Sequence, residues 1–341
     1  HQTPERIKLF IRHLYPLDDK VLWLPNLLKT AKKTLAGDSY NLIYVSCGPF
    51  SSSVAARYLS KHFKLPYVLD MRDYWTLLND YNLQGTYLNR LHSQHHEKRI
   101  LKDAALIVTA TKGIAEDISN HFNKELQSKT FVLYNGHDEE DFSTLPKMET
   151  NHDQYTLSYF GTITAKRSLK WLLRALKNLK QENKLPVGFS FNLYGNYHRE
   201  TYQEIQQSGI EEIVKVTPQI THKEALAVMQ ASDALLLLIN SDSPKGTLTS
   251  KVFEYLRIGK PILALIPKQG EAAELLKESG QNFICPMESS VAIKKELEKL
   301  FAQRDDEHHF HYLAEKYERK KQVEELNQKL QKINKTQFNN T

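Results

Sequence analysis

Cysteine is almost missing from this chain: its 341 residues include two, Cys47 and Cys285. They lie far apart and fit neither a disulfide framework nor the paired spacing of a zinc site, so the sequence points to a reducing, cytosolic compartment. No apolar run approaches the length of a bilayer span, and no signal peptide opens the chain, which places the protein in the cytosol or against a membrane surface. Nucleic-acid motifs are missing too, and the charge excess is too small to suggest one. The 46 Lys and Arg against 40 Asp and Glu leave +6 at pH 7, a mild excess suited to anionic ligands or an acidic membrane face. Neither the HExxH pattern of zinc proteases nor a nucleophile elbow occurs. His92, His95 and His96, and again His308, His309 and His311, raise the question of a metal. His92 and His96 are four apart on an expected helix, a spacing that can hold zinc, yet no glutamate accompanies them. We read them as incidental histidines on a surface helix and expect no metal.

What is present is an alternation of strands and helices. With 40% hydrophobic residues the length is sufficient for two domains. The first 37 residues are polar and helix-prone, so the first domain is expected to lack its opening strand and glycine-rich turn. From Tyr40 the order becomes regular: NLIYVS, a loop, a helix over 54–63, PYVLDM, a helix over 88–101, ALIVTA, a helix over 113–122, and TFVLY. A second series follows a polar connector over 146–153: TLSYFG, a helix over 168–179, GFSFNLYG, a helix over 200–207, IVKV, a helix over 223–230, and then ALLLLI. Such alternation predicts α/β architecture with parallel sheets. The expected domains are 1–145 and 154–303, with 304–341 as a C-terminal helix and polar tail. Val323, Leu326 and Leu330 give that helix an apolar stripe.

The stretch from Asn240 to Ile266 carries the most chemistry. It reads as the end of a buried strand, a polar loop, a short helix over 249–258, a stop at Gly259, and a return strand over 262–266. The helix N-terminus would then lie at the carboxyl edge of a parallel sheet, where open α/β folds bind ligands. Lys251 falls in that first turn, against the helix dipole, so an anion explains its presence. Glu254 has the wrong spacing for a capping box, which leaves a ligand hydroxyl as its partner. Together they suit a diphosphate and a diol.

Other turns are candidates on weaker grounds. Gly161, Thr162 and Ile163, followed by Lys166 and Arg167, end a strand before a helix and could hold an anion, although such turns are common. Tyr194 and Gly195 end the next strand in the same way and serve equally as a plain turn. In the first domain, Asp70, Arg72, Asp73 and Trp75 follow a buried strand; they could orient a hydroxyl or bind a substrate charge, or form an internal ion pair. Gly48, Pro49 and Phe50 with the serines 51–53 form a polar turn able to face the same cleft, or one whose serines cap a helix.

With these residues assembled, the chain resembles a GT-B glycosyltransferase of the family 4 type. The resemblance rests on PFSSSVAARYLSKHFKLPYVLDMRDYW, VLYNGHDEEDF, YFGTITAKRSLKWLLRAL and SKVFEYLRIGKPILALIP, and it covers about Trp23 to Pro286. It implies two Rossmann-like domains facing across a cleft, the second holding a nucleoside-diphosphate sugar and the first an acceptor. By this resemblance Glu254 binds the donor ribose. Gly161, Thr162, Lys166 and Arg167, with Thr249, Ser250 and Lys251, hold the diphosphate, and Tyr194, Gly195, Gln219 and Ile220 line the nucleoside pocket. Gly48, Pro49, Phe50, Asp70, Arg72, Asp73 and Trp75 fall on the acceptor side.

Two positions depart from the usual pattern. Gly246 stands where the first acid of the Glu-x7-Glu motif is expected, which passes the sugar contact to groups such as the backbone N–H of Thr247 or Leu248. Arg72 replaces a histidine, as in the Asp-x-Arg-Asp-x-Trp subgroup. The resulting expectation is retaining transfer from a UDP-linked sugar to a hydroxyl of a glycan or lipid-linked acceptor in bacterial polysaccharide or glycoconjugate synthesis. Arg72, Asp73, Lys251 and Glu254 would carry it, without cofactor, metal or nucleic acid, in the cytoplasm with peripheral membrane contact. The alternatives are a sugar-nucleotide epimerase of the same fold and a noncatalytic nucleotide-sugar-binding subunit.

Overall fold

The computed structural model describes residues 17–18, 20–78, 86–145, 153–163, 167–304, 310 and 314–338. The chain divides into two compact units, one of residues 1–134 with 322–341 and one of residues 135–321. Among the described residues no helix is long and apolar enough to cross a membrane.

The first unit contains α1 (Leu24–Gly37), β1 (Ile43–Cys47), α2 (Ser51–Phe63), β2 (Tyr67–Met71), α3 (Tyr87–Asp103), β3 (Leu106–Thr109), α4 (Lys112–His121) and β4 (Thr130–Val132). Its four strands lie in the order β1-β2-β3-β4, all parallel, with Ile43 opposite Tyr67 and Val68 opposite Leu106. β2 is buried at every position, including the charged Asp70 near its end. Tyr67, Leu69, Met71, Ile100, Leu101, Ile107 and Ile118 fill one core, each large aliphatic side chain contributing about 1.5–3 kcal/mol by leaving water.

Helix α2 begins at Ser51, earlier than the sequence pattern suggested. Its serines do not cap it: Ser52 and Ser53 donate their hydroxyls to the Pro49 and Phe50 carbonyls, each at 2.6 Å. The helix over 319–338 returns its Leu326 to Val68, Leu106 and Val108, with Leu330 and Ile333 at the margin. Val323 of the expected stripe faces solvent.

The second unit runs through α5 (Glu139–Ser143), β5 (Thr156–Phe160), α6 (Lys170–Gln181), β6 (Ser190–Tyr194), α7 (Arg199–Ser208), β7 (Val214–Thr217), α8 (His222–Ala231), β8 (Ala234–Leu238), α9 (Lys251–Ile258), β9 (Ile262–Leu265), α10 (Glu271–Glu278), β10 (Ile284–Cys285) and α11 (Ser290–Ala302). Its six strands are parallel in the order β10-β9-β8-β5-β6-β7. The chain order reverses where β5 meets β8, which is where open parallel sheets form ligand crevices. Leu172, Leu173, Leu176 and Leu179 of α6 pack on β5 and β6 residues in the main core.

The division between the units falls at Tyr134 and Asn135, ahead of the expected boundary at 145. The segment after it is tied to the second unit: His137 N–H donates to the Tyr317 carbonyl, Arg319 N–H to the His137 carbonyl, and Arg257 forms a bidentate pair with Glu139. The connector over 146–152 lies outside the described residues.

Candidate active site

The strand-end glycines show why no other residue fits there. Gly161 has φ +118°, and a Cβ on it would collide with Lys251 Nζ; Gly195 has φ +154°, and a Cβ there would collide with the Gly161 carbonyl. The backbones of these two turns therefore meet each other and the lysine without intervening side chains. Gly161 N–H donates to the Tyr194 carbonyl at 2.9 Å and Gly195 N–H to the Thr217 carbonyl at 3.0 Å, which stacks the carboxyl ends of β5, β6 and β7 in register. Phe160 lies flat on Tyr194 with ring centroids 4.9 Å apart.

Lys251 opens α9 and bends back over β5, its Nζ 5.0 Å from the centre of the Tyr159 ring. Among the described residues no carboxylate lies within ion-pair distance of it. Burial, and then the nearby Arg167, bring its pKa down from the usual 10.5 to about 8, with Glu254 acting in the opposite sense. Arg167 itself reaches Asn240 Oδ1 at 3.3 Å and lies against the Tyr159 hydroxyl.

The N-terminus of α9 is only partly satisfied. Val252 and Phe253 N–H turn back to the Thr249 and Ser250 carbonyls, and Ser250 gives no side-chain cap. The amides of Ser250 and Lys251 have no carbonyl acceptor among the described residues, and the buried Thr249 Oγ1 has no hydrogen-bond partner. Unsatisfied donors at a helix start, a buried hydroxyl and two cations together make a site for anionic oxygens.

Of these groups Lys251 lines a cavity of about 270 Å³ in the second unit, whereas Arg167 does not. Gly161, Thr162, Tyr194, Gly195, Gln219, Ile220, Lys251 and Glu254, all singled out from the sequence, line it together. Its wall also includes Phe160 and Asn196, which flank the turns read from the sequence, and His222, Ala225 and Met229, which sequence reasoning missed. His222, Ala225 and Met229 recur at intervals of three and four along α8, so one helix face supplies all three. Asn196 Nδ2 donates to Gln219 Oε1 at 3.4 Å on the opposite side. Glu254 does not await a ligand with both oxygens free, because Oε1 lies 3.0 Å from His222 Nε2.

Other expected residues are placed differently. Thr247, Leu248, Thr249 and Ser250 form the loop leading into α9 and do not line the cavity. Lys166 lies outside the described residues. The helix after Gly161 was expected to present its amides to an anion. Instead α6 starts only at Lys170, and Glu204 occupies its N-terminus, accepting from Leu169 N–H at 2.8 Å and from the Ser168 hydroxyl at 2.5 Å. That carboxylate already satisfies the end of the helix, so the anion site belongs to α9.

In the first unit, Asp70 is buried, 3.4 Å from Arg72 Nη1 and hydrogen-bonded by the Tyr44 hydroxyl. Arg72 also donates to the Leu133 carbonyl at 2.8 Å, so the internal pairing is present. Asp73 is exposed. Trp75 is buried and stacked on Phe50 at 5.1 Å, and Pro49 and Gly48 precede that ring at the end of β1. On α3 the His92 and His96 rings lie 4.6 Å apart; His308, His309 and His311 are outside the described residues.

Two parallel-sheet α/β units, with strand-end glycines and a helix start lining a cavity in the second, are the arrangement of GT-B proteins. Residues 141–317 match the family described as glycosyl transferases group 1, and the chain belongs to it. Comparison with curated protein sequences finds no match. Among solved structures, Anabaena HepE in complex with UDP and glucose is similar at a TM-score of 0.63 and 16% identity, over 91% of this chain and 81% of that one. Sucrose-phosphate synthase from Thermosynechococcus elongatus has a TM-score of 0.63 and 14% identity, over 84% of this chain and 70% of that one. A putative UDP-N-acetylglucosamine 2-epimerase from Listeria monocytogenes gives 0.56 and 11%, over 93% and 80%. These likenesses confirm the GT-B fold.

Proposed function

We propose that the protein is a retaining, family 4-like glycosyltransferase that moves a sugar from a UDP-linked donor to a hydroxyl of a glycan or lipid-linked acceptor in bacterial surface polysaccharide or glycoconjugate synthesis. The observation that carries this reading is the half-buried Lys251 ammonium, without an ion-pair partner among the described residues, at a helix start with no side-chain cap, beside Gly161 and within the same cavity wall as Glu254. In this reading the helix start, Lys251 and Arg167 hold the diphosphate, Glu254 accepts from the ribose hydroxyls, and Tyr194, Gly195, Gln219 and Ile220 surround the base. The complex of HepE with UDP and glucose supports a uridine nucleotide as the first donor to try.

The bond between sugar C1 and the diphosphate oxygen breaks as the acceptor hydroxyl attacks C1 from the same face, and the departing diphosphate takes the hydroxyl proton. Charge grows on the diphosphate during this step, and fixed cations with unsatisfied amides stabilise that growth without having to reorganise. No protein nucleophile and no metal takes part. Arg72 and Asp73 orient the acceptor, and the mild basic excess brings the protein to an acidic membrane surface.

The test is donor turnover with Lys251→Ala and Glu254→Ala. Both should lose transfer and donor hydrolysis by at least about a hundredfold, the scale of removing a group that stabilises developing charge, while keeping the native circular dichroism spectrum. Near-normal turnover in both variants would defeat the assignment. Incubating wild type with UDP-sugar alone separates the epimerase alternative, which predicts an isomerised donor in the absence of any acceptor. A binding-only subunit predicts donor binding with no product at all.

A further inference from the structure

We propose that His222 is a positioning residue that holds the Glu254 carboxylate ready for a vicinal diol, an inference that rests on the reading of Glu254 given above. Glu254 lies on a two-turn helix and is otherwise a flexible three-torsion side chain at a cavity wall. His222 restricts that freedom: its Nε2 lies 3.0 Å from Glu254 Oε1, within hydrogen-bond distance, while its Nδ1 faces Asp141 Oδ2 at 3.8 Å, beyond a hydrogen bond.

The histidine's backbone is itself anchored. His222 is the first residue of α8, directly after a complete capping box in which the Thr221 hydroxyl accepts from Glu224 N–H and the Glu224 carboxylate accepts from Thr221 N–H at 2.9 Å. The capping box fixes the backbone from which the imidazole projects, and its two side-chain torsions leave it less freedom than a long surface side chain. Glu254 Oε2 has no partner among the described residues, and its side chain is 15% exposed. The histidine therefore engages one oxygen and leaves the other without a protein partner among the described residues, with lone pairs for two adjacent hydroxyls. Binding then spends little of its free energy on ordering the carboxylate.

A purely structural histidine would affect all ligands of the cavity alike, whereas a positioning histidine affects only those carrying the diol. Calorimetric titration with UDP and with 2′,3′-dideoxyuridine diphosphate distinguishes the two in wild type, His222→Ala, His222→Gln and Glu254→Ala. Wild type should prefer UDP by about tenfold or more, equivalent to about 1.4 kcal/mol. His222→Ala should lose most of that preference while binding the dideoxy compound as wild type does. His222→Gln, whose amide N–H reaches about as far as Nε2, should recover it. Equal weakening of both ligands in His222→Ala, or an unchanged preference, overturns the role of His222. A wild type without preference, or a Glu254→Ala variant that retains it, overturns instead the reading of Glu254 as the ribose acceptor and this inference with it.

Discussion

Replacing Lys251 by Met removes a charge that the ligand-free protein holds at a cost. The ammonium is desolvated against Tyr159 and Gly161 and repelled by Arg167, which brings its pKa to about 8 from 10.5. Restoring the usual value would be worth up to about 3 kcal/mol, and one charge-assisted hydrogen bond to phosphate contributes about 1.5–3 kcal/mol. Lys251→Met should therefore weaken UDP binding roughly 10- to 100-fold at neutral pH. The sign of the pH dependence follows from the depressed pKa. In the free protein the lysine discharges as pH rises through about 8, and a bound diphosphate favours its charged form. Wild-type affinity should be flat at neutral pH, fall above about pH 8, and be accompanied there by proton uptake; the Met variant should show neither. Stability moves oppositely. Between about 8 and 10.5 the unfolded chain binds more protons at this site, so wild-type stability gains from rising pH in that window, whereas the ligand-free Met variant already has that gain at neutral pH and should melt higher by a few degrees. Calorimetry in two buffers of different ionisation enthalpy and ligand-free thermal scans measure both effects. An unchanged affinity in Lys251→Met, or a wild-type affinity independent of pH up to about 9, would refute this account.

Gly161→Ala places a Cβ at φ +118° where Lys251 Nζ lies; we expect a folded protein destabilised by about 1–3 kcal/mol with UDP affinity lost in parallel, and unaltered binding would mean that the lysine does not act from that position. Glu97 is buried beneath the loop after β2, accepts from Thr76 N–H at 3.2 Å and from the Thr76 hydroxyl, and has its pKa pushed up to about 7 by burial. Its protonated form is favoured by folding, so its contribution is intact below about pH 4.5 and is lost as pH rises through about 7; Glu97→Gln should stabilise the protein at pH 8 but not at pH 4, read from the fluorescence of the neighbouring Trp75, and an equal effect at both would count against it. Leu326→Ala removes the buried contact of the last helix with Val68, Leu106 and Val108 and should cost about 2–5 kcal/mol in denaturant melts of the first unit; a loss below about 0.5 kcal/mol would mean the helix is not seated there.

Much of the architecture was legible because parallel sheets leave a simple trace. A strand buried on both faces reads as an unbroken apolar run, as ALLLL of β8 does; YVLDM of β2 is buried at every position although Asp70 interrupts its apolar run. Helix ends were less legible. Ser51 to Ser53 have the composition of a cap, yet the helix starts with them: the Ser51 hydroxyl donates to Asp18, and those of Ser52 and Ser53 return to carbonyls. The helix after Gly161 was misjudged for a related reason: Glu204, which satisfies its N-terminus, lies 35 and 36 residues away in sequence. A cap supplied from such a distance leaves no local signal.

The same distinction separates the parts of the cavity that the sequence revealed from those it concealed. Gly161, Gly195 and Lys251 each break a local preference, two by taking φ values that favour glycine and one by setting a cation at the positive end of a helix, and such violations are visible in one dimension. His222, Ala225 and Met229 break nothing: they are ordinary positions on a well-capped helix, and only the packing of α8 beside α9 brings the imidazole to Glu254. Strain thus marks where a ligand contacts the backbone, while the groups that orient a binding side chain comply with local rules. A carboxylate such as Glu254, whose spacing rules out a local partner, should therefore prompt a search for a donor at the start of a neighbouring helix before the ligand is taken as its sole partner.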